Sequence, residues 1–119
     1  MEISPRIKVW LSTAHSKGVF GDGRWRLLRA IEKESCLKSA AFKLNISYRK
    51  AWGDLKKSEE CLGIVFTDKQ RGGSSGGATK LTKKGKQIVA AYTQFRAEIK
   101  RAVKRAFDMH LSKYLKIEE

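Results

Sequence analysis

The sequence predicts a mainly α-helical protein with a small β component, organised around two helices joined by a tight turn. The first observation behind this is the stretch from Leu37 to Leu62, LKSAAFKLNISYRKAWGDLKKSEECL. Apolar positions recur there at helical spacing on both sides of an Asn-Ile-Ser corner. The second is the glycine- and serine-rich segment from Lys69 to Lys80, KQRGGSSGGATK, set between two short β-prone runs. The third is an amphipathic run that starts at Thr82, has no Gly or Pro after Gly85, and is expected to continue to about Ile117.

Size and charge bound what such a protein can do. A chain of 119 residues supports one modest core. Its 26 Lys and Arg against 12 Asp and Glu give a net charge of +14. An excess of that size repels itself and points to a polyanionic partner, nucleic acid before an anionic membrane or an acidic protein. No apolar run approaches the roughly 20 residues of a membrane span, and MEISPRIKVW lacks the apolar core of a secretory signal. Cys36 and Cys61 form no CxxC pair, and His15 and His110 have no ligand spacing. The expectation is a cytoplasmic protein with two reduced, partly buried thiols, no metal and no cofactor.

Taken in order, Arg6 to Ser12 alternates as a half-buried strand, with Ile7, Val9 and Leu11 on one face and Lys8 and Trp10 on the other. A turn over Thr13 to Gly18 lets Val19-Phe20 pair back as a second strand. Gly21-Asp22-Gly23 lacks the third glycine and the βαβ setting of a nucleotide-binding loop. It reads as a turn in which Asp22 caps a helix. From Arg24 to Glu34, Trp25, Leu28 and Ile31 step by three beside Leu27 and Ala30, an amphipathic helix with Trp25 in the core. The helix should fray at Glu34-Ser35, with Ser35 capping the next.

In the central stretch, Ala40, Ala41 and Leu44 give a first short helix one small apolar face. Asn45 tolerates the left-handed conformation that ends it, and Ile46 plugs the corner. Ser47 caps the second helix, although Lys50 at N3 does not complete a capping box. Ala51, Leu55, Ser58 and Leu62 should face the protein, and Tyr48, Arg49, Trp52 and Lys56 should look outward. Trp52 divides about evenly between that outer face and packing on the first helix. Gly63 stops the helix and Ile64 to Thr67 is β-prone. Lys69 to Lys80 should then be a mobile loop before a strand at Ala78 to Leu81. It lacks the Gly-Lys-Ser/Thr ending of a phosphate-cradling loop. Two strands with a basic glycine tip make a wing, where Arg71 and Lys80 supply charge for phosphates.

Thr82 caps the last helix. Ile88, Tyr92, Phe95 and Ile99 lead into Val103, Phe107, Leu111 and Leu115 at steps of three and four, while Lys100, Arg101, Lys104 and Arg105 face out. A rod on the order of 50 Å is too long for its own domain to cover. A second copy across a two-fold axis is the favoured partner over a membrane surface. The whole is a winged helix-turn-helix, residues 1–81, with a long C-terminal dimerisation helix, residues 82–119. Tyr92, Phe95, Ile99, Val103, Phe107 and Leu111 are the expected dimer interface. The plain alternative for the central stretch is a helical hairpin with a solvated face; the charge and the wing count against it.

From Phe20 to Gly85 the sequence resembles the DNA-binding domain of ModE-type, molybdate-responsive regulators. The matching pieces are Gly21-Asp22-Gly23-Arg24 with Leu27-Leu28, then Leu37-Lys38-Ser39-Ala40-Ala41, and Ile46-Ser47-Tyr48-Arg49-Lys50-Ala51-Trp52. Gly72-Gly73 with Gly76-Gly77 and Leu81-Thr82-Lys83-Lys84-Gly85 complete the set. The spacing is also similar to LysR-type regulators, a more distant relation. The resemblance implies a homodimer on a palindromic operator in double-stranded DNA, controlling genes for molybdate or tungstate uptake or use. It carries Ser47, Tyr48, Arg49, Lys50, Trp52 and Lys56 over as recognition-helix contacts. The wing, Arg71 to Gly77, brings Gly72, Gly73, Ser74 and Ser75, and Lys80 follows it. The family's oxyanion-binding β-barrel has no counterpart in these residues, so direct molybdate or tungstate binding is not expected of them. The chain is either a single-domain member or an N-terminal fragment.

Arg49 is the candidate for a bidentate contact to guanine, and Tyr48 or Trp52 for a thymine methyl. Ser47, Lys50, Lys56, Arg71 and Lys80 are assigned to phosphates. A non-specific architectural DNA- or RNA-binding protein is the alternative. An enzyme is not expected, because no nucleophile is assembled with a base and no carboxylates pair in a cleft. Glu32, Glu34, Glu59 and Glu60 should lie on outward faces or near helix ends.

Overall fold

The computed structural model describes residues 1–70 and 78–115. In chain order the elements are β1 (Trp10–Leu11), β2 (Phe20–Gly21), α1 (Asp22–Glu34), α2 (Leu37–Lys43), α3 (Tyr48–Leu62), β3 (Thr67–Gln70), β4 (Ala78–Leu81), α4 (Lys83–His110) and α5 (Ser112–Leu115). Two antiparallel hairpins result. Trp10 pairs with Gly21 and Leu11 with Phe20, while β3 and β4 register from Thr67–Leu81 to Gln70–Ala78.

Local chemistry sets the helix ends. Ser47 accepts the Lys50 N–H at 3.0 Å and Thr82 the Gly85 N–H at 2.9 Å, so each hydroxyl satisfies an orphan donor of its own helix. Asn45 at φ 57° turns α2 into α3, and Gly63 at φ 64° ends α3. Ser35 differs from expectation. It ends α1 in the left-handed region at φ 55°, and Cys36 stands at the N-cap of α2 without a side-chain cap.

α1 is the centre of the packing and touches α2, α3, α4, β2 and β4. Leu28, Ile31, Ala40, Ala51 and Phe66 are wholly buried, and Trp25, Leu27, Leu37, Leu55, Leu81 and Val89 close round them. Phe20 packs edge-on to Tyr92 at 5.2 Å and tilted to Phe66 at 5.6 Å, which welds the first hairpin to α4. Trp25 is core as expected, and its indole N–H donates to Thr93 Oγ1 at 2.9 Å.

Several side chains sit otherwise than the sequence suggested. Asp22 does not cap α1. It is 1% exposed and accepts from the Val9 N–H, Tyr92 Oη and Arg96 Nε. Burial raises its pKa, but these hydrogen bonds and the Arg96 charge outweigh that and hold the carboxyl below its usual range. Tyr92 lies in its own core instead of a dimer face, and burial together with the Asp22 carboxylate pushes its phenol above the ordinary range. Glu59 is buried too, accepting from the Phe66 N–H at 2.8 Å and pairing with Lys56 at 3.3 Å.

The strands are shorter or displaced. Of Arg6 to Ser12 only Trp10–Leu11 is strand, the Val9 N–H being held by the Asp22 side chain; Leu11, expected on the buried face, is exposed. Ile64 to Phe66 is not strand. Its backbone groups go to the Glu59 side chain, the Glu59 carbonyl and Thr82, and the ladder starts at Thr67. α4 ends at His110 and Leu111 separates it from α5. At 28 residues it is about 42 Å long. Its first turns bury Gly85, Val89 and Tyr92, Thr93 and Arg96 still reach Trp25 and Asp22, and the later turns run beside residues 1–7 across an open groove. Cys36 is half-buried, whereas Cys61 is exposed because it lies off the core face of α3; both are free thiols. No helix among the described residues is long and apolar enough to cross a membrane.

Candidate nucleic-acid interface

α3 is anchored by Ala51, Leu55 and Ser58, all buried, with Leu62 packed against the core's edge. That leaves Tyr48, Arg49, Trp52 and Lys56 exposed along the opposite side, as the periodicity requires. Arg24 on α1 fixes the helix further, donating from Nε to Ser58 Oγ at 3.2 Å and approaching Asp54 at 3.7 Å.

The cations on this face are not equivalent. Arg49 has no ion pair among the described residues, so its five donors stay available. Lys50 donates to Asp54 at 2.9 Å with 61% of its side chain still exposed. Lys56 is shared between Glu59 at 3.3 Å and the Trp52 ring, whose centroid lies 5.9 Å away. Trp52 is 43% exposed and therefore not packed away on α2. Ser47 uses its oxygen as acceptor for the cap, and its O–H remains a donor.

The β3–β4 hairpin stands beside the N-terminus of α3. Lys69 Nζ donates to Tyr48 Oη at 3.4 Å, a contact that single-sequence reading did not single out. Lys80 is exposed on β4 opposite Asp68. The hairpin is tied down twice, by the Thr79 N–H to Ser35 carbonyl bond at 3.0 Å on β4 and by Glu59 at the start of β3. The tip residues assigned to the wing, Arg71, Gly72, Gly73, Ser74 and Ser75, lie outside the described residues. The structure thus brings Ser47, Tyr48, Arg49, Lys50, Trp52 and Lys56 together on one helix, with Lys69 beside Tyr48. Lys69 could have been found only by knowing the hairpin register, which places it two residues before the tip.

No protein-family model matches the chain. Over 84 residues it is 36% identical to the molybdenum transport protein ModE of Azotobacter vinelandii, covering 71% of this chain and 31% of the relative. Over 79 residues it is 30% identical to the molybdenum-pterin-binding protein MopB of Rhodobacter capsulatus, 66% of this chain and 29% of that one. The chain therefore spans under a third of the length of these curated relatives. Among solved structures it is similar to the BenM DNA-binding domain in its complex with benA site 1 DNA. That likeness has a TM-score of 0.57 and 21% identity, and covers 76% of this chain and 96% of that one. At that identity it shows the fold, a winged helix-turn-helix with a long helix after the wing. Sequence and fold together fit the chain to the DNA-binding domain of ModE-type regulators.

Proposed function

We propose that this chain is a dimeric, sequence-specific regulator of transcription that acts in the cytoplasm on genes for molybdate or tungstate uptake or use. The observation that carries the reading is the exposed Tyr48, Arg49, Trp52 and Lys56 face of a capped helix, held rigid by Arg24, Ser58 and Glu59 beside a basic hairpin. α3 enters the major groove, where Arg49 reads guanine and Tyr48 or Trp52 meets a thymine methyl. Ser47, Lys50, Lys56 and Lys80 hold phosphates, and the wing tip reaches the backbone or minor groove. The names of the two molybdenum-related relatives support the choice of regulated genes.

Residues 1–81 form the DNA-reading unit in this proposal and 82–119 the dimerisation unit. Phe95 on α4 is 41% exposed and Leu111 just after its end 52%, with Ile99, Val103 and Phe107 half-buried between them. A second α4 across a two-fold axis covers that stripe and sets two recognition helices on a palindromic operator.

The test is a titration of the purified protein against genomic fragments, with and without molybdate and tungstate, with the mass in solution measured in parallel. A dimer that selects one palindromic site supports the reading. Binding that ignores sequence at physiological salt replaces it with a non-specific architectural role.

A further inference from the structure

The N-terminal hairpin, β1–β2 with its connecting loop, flanks α3 on the side away from the wing. Ser16 in that loop lies 3.9 Å from Cys61 Sγ on α3. Between hairpin and helix runs an open cleft of about 730 Å³, lined by Lys8, Trp10 and Lys17 from one side and Lys50, Asp54 and Lys57 from the other. Lys50, Asp54, Lys57 and Cys61 recur at steps of four, three and four, a stripe of α3 distinct from both its core face and its Tyr48–Lys56 face. Two hairpins therefore bracket the recognition helix.

The charge in this cleft is unbalanced. Both Asp54 oxygens are engaged, one with Lys50 at 2.9 Å and one with Arg24 at 3.7 Å. Asp22, at the cleft floor, is held by Tyr92, Val9 and Arg96. Lys8, Lys17 and Lys57 are exposed and have no ion pair among the described residues. Three unneutralised ammonium groups along one groove, beside a Trp10 that is 61% exposed, suit a linear polyanion with apolar sugars between its charges.

The groove is continuous with the DNA-facing side of α3. Arg49, Gly53 and Lys57 form one row at steps of four, leading from the recognition face into the cleft. Gly53 sits mid-helix with open space where a Cβ would project, so none of the described residues requires glycine there. A mid-helix glycine weakens the helix, and one without an internal reason fits a site where another backbone comes close.

We propose that the cleft between the N-terminal hairpin and α3 is a second phosphate-binding site, in which Lys8, Lys17 and Lys57 grip the DNA backbone on the flank opposite the wing. The inference rests on the DNA-binding reading above and extends its footprint: α3 is clamped from both sides, and the N-terminal hairpin acts as a second wing.

The deciding experiment compares the salt dependence of binding to one duplex fragment for the wild type and three triple variants. K8A/K17A/K57A removes the grip, and K8R/K17R/K57R keeps its charge. Lys33→Ala, Lys100→Ala and Arg101→Ala together remove the same charge from exposed positions outside the cleft. Each lost phosphate contact flattens the slope of log K against log salt by roughly 0.9, so the first variant should lose about 2 to 3. The arginine variant should keep the slope and the remote variant nearly so. Hydroxyl-radical footprinting should show protection lost on the flank opposite the wing. If the cleft and remote variants change the slope alike while the wild type still binds, the second site is refuted and the recognition helix stands. If the wild type binds no DNA at any salt, the DNA reading fails, and this site with it.

Discussion

Replacing Asp22 tests how the reading head is joined to the long helix. This one carboxylate accepts from Tyr92 Oη at 2.8 Å, Arg96 Nε at 3.1 Å and the Val9 N–H at 3.3 Å. It thereby ties the N-terminal segment, α1 and α4 together. Asp22→Ala leaves Arg96 without its counter-ion and the Tyr92 phenol with only the Val9 carbonyl. Breaking a fully buried pair costs about 3–5 kcal/mol. The Arg96 side chain is 24% exposed and also lies over Trp25 at 5.2 Å, so water and the indole recover part of its solvation. The expected loss is therefore about 2–4 kcal/mol, a large share of the roughly 5–15 that holds a domain folded.

Urea unfolding followed by tryptophan fluorescence and circular dichroism measures this loss at pH 7. The pH dependence supplies an independent check. The folded pKa of Asp22 is depressed, so the unfolded chain binds the proton more readily. Its stabilisation is full above the unfolded value, near about 3.9, and is lost as pH falls through the folded value. The gap between wild type and variant should hold from pH 7 down to about 5 and narrow below about 4. A gap under about 1 kcal/mol at pH 7, no more than an ordinary hydrogen bond, would refute the clamp. So would a gap that stayed constant in acid.

Five other substitutions probe the remaining parts. Arg49→Ala should cost about 1–3 kcal/mol at the preferred site and relax discrimination, whereas Lys80→Ala should weaken all sequences alike and flatten the salt slope by about 1; fluorescence anisotropy reads both. Ser47→Ala removes the α3 cap and should lower stability by about 1 kcal/mol in chemical denaturation. Gly85→Ala should destabilise by about 1–3 kcal/mol despite alanine's better helix propensity, because its Cβ would collide with the Phe66 carbonyl; a stabilised variant would contradict the packing of α4 on residue 66. Phe107→Glu places a charge in the proposed α4 interface and should halve the mass in solution while leaving the far-ultraviolet spectrum unchanged.

The sequence by itself determined what is decided within a few residues. The caps at Ser47 and Thr82 need only an oxygen three residues before an N–H, and the left-handed corners at Asn45 and Gly63 need only a residue that tolerates positive φ. The split of α3 into a buried and an exposed face follows from a period of 3.6. The winged helix-turn-helix was legible for that reason, and so was the cluster at Ser47, Tyr48, Arg49, Lys50, Trp52 and Lys56. The tertiary structure alone decided what depends on groups far apart in the chain. Asp22 is taken from capping α1 by partners 70 and 74 residues away, and Tyr92 from the proposed dimer stripe by the same contact. Glu59 captures the backbone at Phe66 and delays β3 to Thr67, although Ile64-Val65-Phe66 is the more β-prone run. The cleft beside α3 belongs to the same class. Lys8 and Lys17 become neighbours of Lys57 only when the hairpin folds back against the helix, and no periodicity in the chain encodes that approach.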